Sequence, residues 1–371
     1  MTTAVRAKKI DADTHFNLTV DYKELKTLLP RSKQAEARDM MWRDALRFTD
    51  PRSAGGNPAR LGGRGSTSEP DPEYDLEARL QAMDRLGFDM QVLNTQRAMP
   101  APLRLAQQPL WLRNALAVLY NNAADAQKRY PDRYIGQITF AWDDIESSIK
   151  EVERAAGLGL RAITITGSYY DGTNLDNYAL FPFWEVVNGL DLAVMVHNFT
   201  QGCDRAAPID HATPYPMVGT ERYHRLHIGT YLGFGLDYTV ACAALTLGGV
   251  LDEFPNLRFL FFEAGAGWMN YAMYGADRSY YIERACSRTA TPPSELIKKH
   301  CYTAVENLEP LEQYVQAYGA DNYIIGTDFP HPEFQMLPNA TTDVTDKPGL
   351  SNEDKRKILG GNMVKALKLE V

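Results

Sequence analysis

The sequence has little cysteine and no long apolar run. The 371 residues include four widely spaced cysteines, Cys203, Cys242, Cys286 and Cys301. Their spacing argues against a disulfide framework. Such cysteines are typical small buried side chains in a reducing compartment. Apolar stretches such as Leu257–Ala266 are interrupted by charged residues, and the basic N-terminus has no apolar segment behind it. We therefore predict a cytoplasmic protein with neither a membrane span nor a signal peptide.

Positive charge is also scarce. The chain has 39 Lys and Arg against 47 Asp and Glu, a formal net charge of −8, and no basic run stands out. This balance argues against a nucleic-acid partner. With 44% hydrophobic and 23% charged residues, the composition is that of a packed globular protein and excludes disorder, collagen and coiled coil.

Eight short β-rich runs alternate with longer amphipathic runs, a pattern typical of parallel βα units. The predicted strands are Lys9–His15, Phe88–Thr95, Tyr134–Phe140, Leu160–Thr166, Leu192–Asn198, Leu257–Glu263, Cys301–Glu306 and Tyr323–Asp328. The predicted helices are Leu76–Leu86, Asn114–Arg129, Ile145–Ala156, Phe183–Leu190, Tyr238–Asp252, Met269–Ala285, Leu308–Ala317 and Asn352–Leu367. The fold class is therefore α/β, and a closed (β/α)8 TIM barrel is favoured over a doubly wound open sheet.

Two segments interrupt the repeat, residues 28–74 after the first strand and residues 200–236 after the fifth. We predict a single domain over residues 1–371, a distorted barrel in which these long insertions form a flap and a rim loop. The first contains the Gly-rich run Leu61–Ser66, which lacks the Lys-Ser/Thr ending of a phosphate-binding loop.

Polar residues follow five of the eight predicted strands, and in a barrel their carboxyl ends meet at one rim. They are Asp13, His15, His197, Glu263, Glu306 and Asp328. Asp13 and His15 are two positions apart, so on a strand both point to the same side. With His197 and Asp328 they make a mixed imidazole and carboxylate set, which suits Zn²⁺, our first prediction, or Mn²⁺.

The other histidines have structural alternatives. His211, His224 and His227 lie in the second insertion, either on the surface or entering the pocket, and His300 precedes the seventh strand at its opposite end, where a structural role is expected. A lone histidine at a strand end is also more often structural than ligating. As substrate contacts we predict Arg97 after the second strand, Trp268, His227 and His331.

Sequence motifs along most of the chain resemble the amidohydrolase superfamily, and within it the branch similar to aminocarboxymuconate-semialdehyde decarboxylase. The motifs are Asp11–His15, Arg79–Asp84, Gly87–Leu93, Gly248–Leu251, Phe254–Leu257, Glu263–Trp268, Gly326–His331 and Ile358–Asn362. The resemblance implies a distorted TIM barrel, one divalent metal and a homodimer. It also implies metal-ligand roles for Asp13, His15, His197 and Asp328, and makes Asp328 the partner of a reacting water.

Two positions depart from that family pattern. Asp13 stands where many relatives have His or Glu, and Glu263 stands where decarboxylase-like relatives have a catalytic His. Together with Asp328, these carboxylates surround a dipositive ion with one negative charge in excess. At about 4 Å and an effective dielectric of about 20, one such charge is worth roughly 4 kcal/mol, enough to disfavour an anionic substrate. Arg97, or Arg52, Arg60 and Arg64 of the flap, would have to offset it.

We therefore predict a metal-dependent hydrolase in which Asp328 activates water and Glu263 moves the proton, acting on a small cyclic or aromatic acid derivative. A structural Glu263, bonded to the neighbouring Gly-rich turn, is the alternative at that position. The alternative function is non-oxidative decarboxylation of a small aromatic or unsaturated acid. A catalytically inactive binding barrel is the third possibility.

Overall fold

A computed structural model describes residues 8–16, 22–40, 72, 75–94, 109–122, 125–169, 172–198, 218, 228–306, 309–330 and 339–370. All eight predicted strands are present, each within its predicted range. They are β1 (Ile10–Asp11), β2 (Met90–Leu93), β3 (Tyr134–Gly136), β4 (Ala162–Ile165), β5 (Ala193–Val196), β6 (Arg258–Phe261), β7 (Cys301–Val305) and β8 (Tyr323–Ile325). The fold is α/β with parallel strand pairing throughout these strands.

The strands form two parallel sheets, β1-β2-β3 and β4-β5-β6-β7-β8, in sequence order. Isolated bridges lie between their edges: Ile138 beyond β3 pairs with Ile163 of β4, and Thr14 beyond β1 pairs with Phe329 beyond β8. The second junction is reinforced where Asp328 N donates to Asp13 O at 2.9 Å. The carboxyl ends of the first and last strands are therefore held side by side.

Helices connect and flank the strands. Their bounds are α1 (Tyr22–Leu25), α2 (34–40), α3 (Leu76–Leu86), α4 (Leu110–Asn122), α5 (Asp125–Arg129), α6 (Ile145–Ala156), α7 (Phe181–Gly189), α8 (Ile228–Thr246), α9 (Val250–Glu253), α10 (Gly267–Ile282), α11 (Pro293–His300), α12 (Leu311–Tyr318), α13 (Ala340–Thr345), α14 (Asn352–Arg356) and α15 (Asn362–Leu367). Within the described part of the chain, no helix is long and apolar enough to cross a membrane.

Local sequence signals account for several helix ends. Asp144 caps α6, its carboxylate accepting from Ser147 N at 2.8 Å, and Ser351 forms a capping box at α14. Gly87 ends α3 with φ of 79°, a left-handed conformation that glycine adopts without a Cβ clash. These residues define the C-terminal end of α3 and the N-terminal ends of α6 and α14.

The hydrophobic core has two main parts, and successive strand residues alternate between them. On β5, Val194 and Val196 belong to the larger cluster, which contains residues of several helices, whereas Ala193 and Met195 belong to the smaller one. Burial on both faces is typical of parallel strands. His197 continues the alternation of Ala193 and Met195 just past the end of β5.

The structure differs from the predicted helices and insertions in several places. Helices α1, α11 and α13 were not predicted. The predicted Asn352–Leu367 helix is divided by a π-turn, Lys357–Gly361, where a Cβ on Gly360 would lie 2.0 Å from Lys8 O. Residues 28–40 of the predicted flap are largely helical rather than loop, and α8 begins at Ile228, inside the predicted 200–236 insertion. The remainder of both insertions lies outside the described residues, apart from Pro72 and Val218.

Candidate metal centre

Four side chains converge at the carboxyl ends of the strands. Asp13 and His15 follow β1, His197 follows β5 and Glu263 follows β6, and one ligand atom from each lies within 4.8 Å of the others. Parallel strands present their carboxyl ends at one edge, which is why residues so far apart in sequence meet here. Asp13, His15 and His197 are buried, whereas the Glu263 side chain is 22% exposed.

The two imidazoles lie between the carboxylates. His197 Nε2 is 3.2 Å from Glu263 Oε1 and 3.7 Å from Asp13 Oδ1. His15 Nε2 is 3.6 Å from Glu263 Oε1 and 3.9 Å from Asp13 Oδ1. Asp328 approaches from β8, its Oδ1 2.8 Å from His15 Nε2. The structure therefore brings together all five residues predicted from the strand ends as ligands or proton carriers.

The carboxylates favour positive charge at His197. Burial alone would lower the pKa of His197, but Glu263 and Asp13 raise that pKa to about 9. Burial raises the pKa of Asp13 to about 6 despite the opposing effect of His197 and His15. For Glu263, burial acts upward, yet the adjacent His197 and His15 hold the pKa of its carboxyl well below the usual range. The same field favours either a proton or a metal cation.

A hydrogen bond on the ring nitrogen that faces away from the cluster fixes the orientation of His197. Its Nδ1 donates to Asn198 O at 2.8 Å, which leaves Nε2 directed at the cluster. Asn198 is itself held, because its Nδ2 donates to Asp237 Oδ2 at 2.9 Å and its Oδ1 accepts from Gly167 N at 2.9 Å. A carbonyl partner on the second ring nitrogen is the usual support of a metal-binding histidine.

Two of the carboxylate residues have unusual backbone conformations. Glu263 has φ of 56° and Asp328 has φ of 57°, the left-handed region that side chains other than glycine rarely adopt. Such conformations cost about 1–3 kcal/mol each and persist when surrounding contacts enforce them. Both of these backbone conformations occur at residues whose side chains lie next to His15.

A residue that the sequence analysis did not single out, Glu309, holds the turn after Glu263. Its carboxylate accepts from Ala266 N at 2.8 and 2.9 Å, from Gly267 N at 3.1 Å and from Glu306 N at 3.0 Å. Gly267 begins α10 and Ala266 is its N-cap, a place where the helix dipole favours a negative charge. The pKa of Glu306 is raised by burial, then by Glu309 and Glu263. No local signal in the sequence identifies Glu309, because two of its three partners, Ala266 and Gly267, follow a different strand.

The donor set fits a single divalent cation. Ligand atoms about 2.0–2.2 Å from one ion are about 3 Å apart, and the four imidazole-to-carboxylate distances within the group are 3.2–3.9 Å. Asp13 Oδ1 is fully buried and accepts no hydrogen bond from the described residues. Two nitrogens with two or three carboxylate oxygens suit Zn²⁺ or Mn²⁺.

Of the four predicted substrate contacts, Trp268 is the one within the described residues. Arg97, His227 and His331 lie outside the described residues, as do Arg52, Arg60 and Arg64. Trp268 lies in the larger core cluster, where its ring contacts Phe261 at a centroid distance of 4.9 Å and its Nε1 donates to Thr303 Oγ1 at 3.2 Å. His300 is buried near Leu257 O, as expected for a structural residue.

Comparisons with known proteins agree with the family resemblance of the sequence motifs. An amidohydrolase family model matches residues 10–369. The 2-amino-3-carboxymuconate-6-semialdehyde decarboxylase of Dictyostelium discoideum is 27% identical over 301 residues, 80% of this chain and 77% of that protein.

Two solved structures have a similar fold. The 5-carboxyvanillate decarboxylase from Sphingomonas paucimobilis superposes with a TM-score of 0.69 at 20% identity, over 98% of this chain and 100% of that one. A dihydroxybenzoic acid decarboxylase from Polaromonas sp., with bound manganese and the inhibitor 2-nitroresorcinol, gives a TM-score of 0.66 at 19% identity and covers 97% of each chain. The relatives support the decarboxylase alternative, and the hydrolase prediction is without support among them.

Proposed function

The chain belongs to the amidohydrolase family and is an enzyme of that superfamily, and from this premise we propose that it is a non-oxidative decarboxylase of a small aromatic or unsaturated carboxylic acid. The observation that carries the proposal is the convergence of Asp13, His15, His197 and Glu263 within 4.8 Å. Decarboxylase relatives that cover about four fifths of the chain supply the reaction class.

We assign the metal to Asp13, His15, His197 and Asp328, and the ion is Zn²⁺ or Mn²⁺. Manganese in the Polaromonas structure supports the second of these. Glu263 has the geometry to enter the ligand set as well, because its Oε1 lies 3.2 Å from His197 Nε2. A bound divalent ion would supply a Lewis acid that polarises the oxygen groups of the substrate.

In decarboxylation the carboxylate leaves as CO₂, the electron pair of the broken bond stays on the carbon, and a protein group has to deliver a proton to that carbon. Glu263 is the most exposed of the three clustered carboxylates, at 22% against 9% for Asp328 and 4% for Asp13. We assign proton transfer to Glu263 because its exposure lets it exchange protons with solvent, although the neighbouring imidazoles lower the pKa of its carboxyl. Asp328, whose Oδ1 lies 2.8 Å from His15 Nε2, is close enough to share one metal ion with that imidazole.

The carboxylate of the substrate needs a positive partner in this acidic site. We propose Arg97 for that role, with Arg52, Arg60 and Arg64 as further cations of the flap. Trp268, His227 and His331 remain proposed substrate contacts.

We also propose that the eight strands form a closed, distorted barrel in one domain, with residues 28–74 and 200–236 at its rim. The bridges Ile138–Ile163 and Thr14–Phe329 at the sheet edges support closure. A cytoplasmic homodimer remains the proposed working form.

Carbon dioxide release tests the proposal. Metal-stripped protein is reloaded with Mn²⁺ or Zn²⁺ and incubated with 2,6-dihydroxybenzoate or 5-carboxyvanillate, acids that relatives are named for. We expect metal-dependent CO₂ release with formation of the decarboxylated phenol. Metal-dependent hydrolysis of aromatic lactones or esters without CO₂ release would contradict the proposal and restore the hydrolase prediction. Failure of both reactions would favour the inactive binding barrel.

A further inference from the structure

Arg79 is a fully buried arginine on α3. A guanidinium away from water is costly unless its donors are paired, so its burial indicates specific partners. The sequence around Arg79 predicts an ordinary amphipathic helix and indicates no role for the charge of Arg79. The contacts of its side chain indicate such a role.

Arg79 contacts the backbone next to the clustered ligands. Its Nη1 donates to His15 O at 2.8 Å. Its guanidinium carbon lies 5.7 Å from the ring centroid of Phe16, which follows His15, and 5.1 Å from that of Phe329, which follows Asp328. One side chain therefore contacts the chain at both the β1 and the β8 ligands.

A second path leads from Arg79 to the same two strand ends. Arg79 Nε donates to Gln91 Oε1 at 3.0 Å, and Gln91 Nε2 donates to Asp11 Oδ2 at 3.0 Å. Asp11 also accepts from Thr327 N at 2.9 Å and from Thr327 Oγ1 at 2.7 Å. Thr327 directly precedes Asp328, and all of these side chains are buried. The path therefore connects α3, β2, β1 and the end of β8.

We propose that Arg79, acting through Gln91 and Asp11, is a positioning residue that holds the carboxyl ends of β1 and β8 in the ligating arrangement and thereby sets the affinity for the divalent metal. The inference rests on the proposed metal site. Residues behind the ligands typically change metal affinity by about 10–100-fold. The left-handed backbone of Asp328 requires such support, because it is unfavourable on its own.

Variants along the path test the inference through metal binding rather than activity. Gln91→Met and Thr327→Val remove hydrogen bonds without changing charge, and Arg79→Met removes the origin of the path. The matched control is Arg258→Met at the amino end of β6. Arg258 is also buried, with Nε donating to Ala366 O at 2.6 Å and Nη1 paired with Asp191 Oδ1 at 2.6 Å.

The measurement is the Mn²⁺ dissociation constant by calorimetry on metal-stripped protein, with circular dichroism and the melting temperature as folding controls. We expect Gln91→Met and Arg79→Met to weaken Mn²⁺ binding at least about tenfold and Thr327→Val about threefold or more. Arg258→Met should lower the melting temperature while its dissociation constant stays within about twofold of the wild type. If Arg79→Met does not fold, the two neutral variants decide.

Folded path variants that bind Mn²⁺ as tightly as the wild type would overturn the inference while leaving the metal site intact. An equal loss of affinity in Arg258→Met would also overturn it, because the effect would then follow general stability. Wild-type protein that binds no Mn²⁺ would overturn the proposed metal site, and this inference with it.

Discussion

His15 Nε2 lies 2.8 Å from Asp328 Oδ1, so the first and last strands of the fold meet through a pair of site residues. The backbone supports the same junction, because His15 N donates to Phe329 O at 2.6 Å and Asp328 N donates to Asp13 O at 2.9 Å. The geometry of the site therefore depends on how the carboxyl ends of β1 and β8 pack together.

Asp328→Asn keeps the shape of this side chain but removes its charge. We expect the turnover number for CO₂ release to fall about 10²–10⁴-fold with the secondary structure unchanged, because the proposed ligand and partner of His15 is neutralised. Steady-state kinetics and circular dichroism provide the measurement. A variant with wild-type turnover would exclude Asp328 from the mechanism.

Glu263→His tests the charge argument. The substitution removes one negative charge from the site and should raise kcat/KM for an aromatic carboxylate at least about tenfold, because one charge at this range is worth several kcal/mol. Glu263→Gln is the control, since it also removes the charge but cannot transfer the proton. We expect it to bind the acid more tightly and to turn over more slowly. If neither variant binds the acid more tightly than the wild type, cations of the site already offset the negative charge of Glu263, and the charge argument fails.

Glu309→Ala removes the carboxylate that holds the turn after Glu263. We expect a loss of about 2 kcal/mol in the free energy of unfolding, since hydrogen bonds to a charged group contribute about 1.5–3 kcal/mol. Glu312→Ala is the control: Glu312 also accepts a backbone hydrogen bond, from Gly349 N at 2.5 Å, but in an exposed contact. Urea unfolding measures both, and equal small losses would argue against a special role of Glu309.

His300 predicts a pH dependence of stability separate from the metal site. Burial lowers the pKa of His300 below its usual 6.5, so the unfolded chain binds its proton more readily than the folded chain. Stability from this group is therefore present above pH 6.5 and is lost as the pH falls below it. Urea unfolding of metal-free protein at pH 7.5 and 5.5 should show a smaller acid loss in His300→Gln than in the wild type. Identical losses would contradict a neutral buried His300.

The strands and clustered residues were predictable from sequence because their signals are local. Each strand is an apolar run buried on both faces, and Asp13, His15, His197, Glu263 and Asp328 each interrupt the apolar pattern at a strand end. The approximate course of most of the longer helices also followed from periodicity. Asp144 and Ser351, which cap α6 and α14, are residue types strongly preferred at helix N-termini.

The supporting residues were not predictable, because their partners come from distant parts of the chain. Glu309 bonds to the start of α10, and Arg79 meets residues adjoining both β1 and β8. The reaction is not predictable from the strand-end residues for a related reason. The carboxylates at Asp13, Glu263 and Asp328 favour the hydrolase prediction, which the relatives leave unsupported, and charge at one position does not determine the reaction.

Titration of metal-stripped protein with Mn²⁺ or Zn²⁺ tests the central claim most directly. We predict one tightly bound ion per chain in the wild type, and loss of that ion in a folded His15→Asn/His197→Asn double variant. Absence of binding in the wild type, or the same stoichiometry and affinity in the double variant, would contradict a metal centre at these residues.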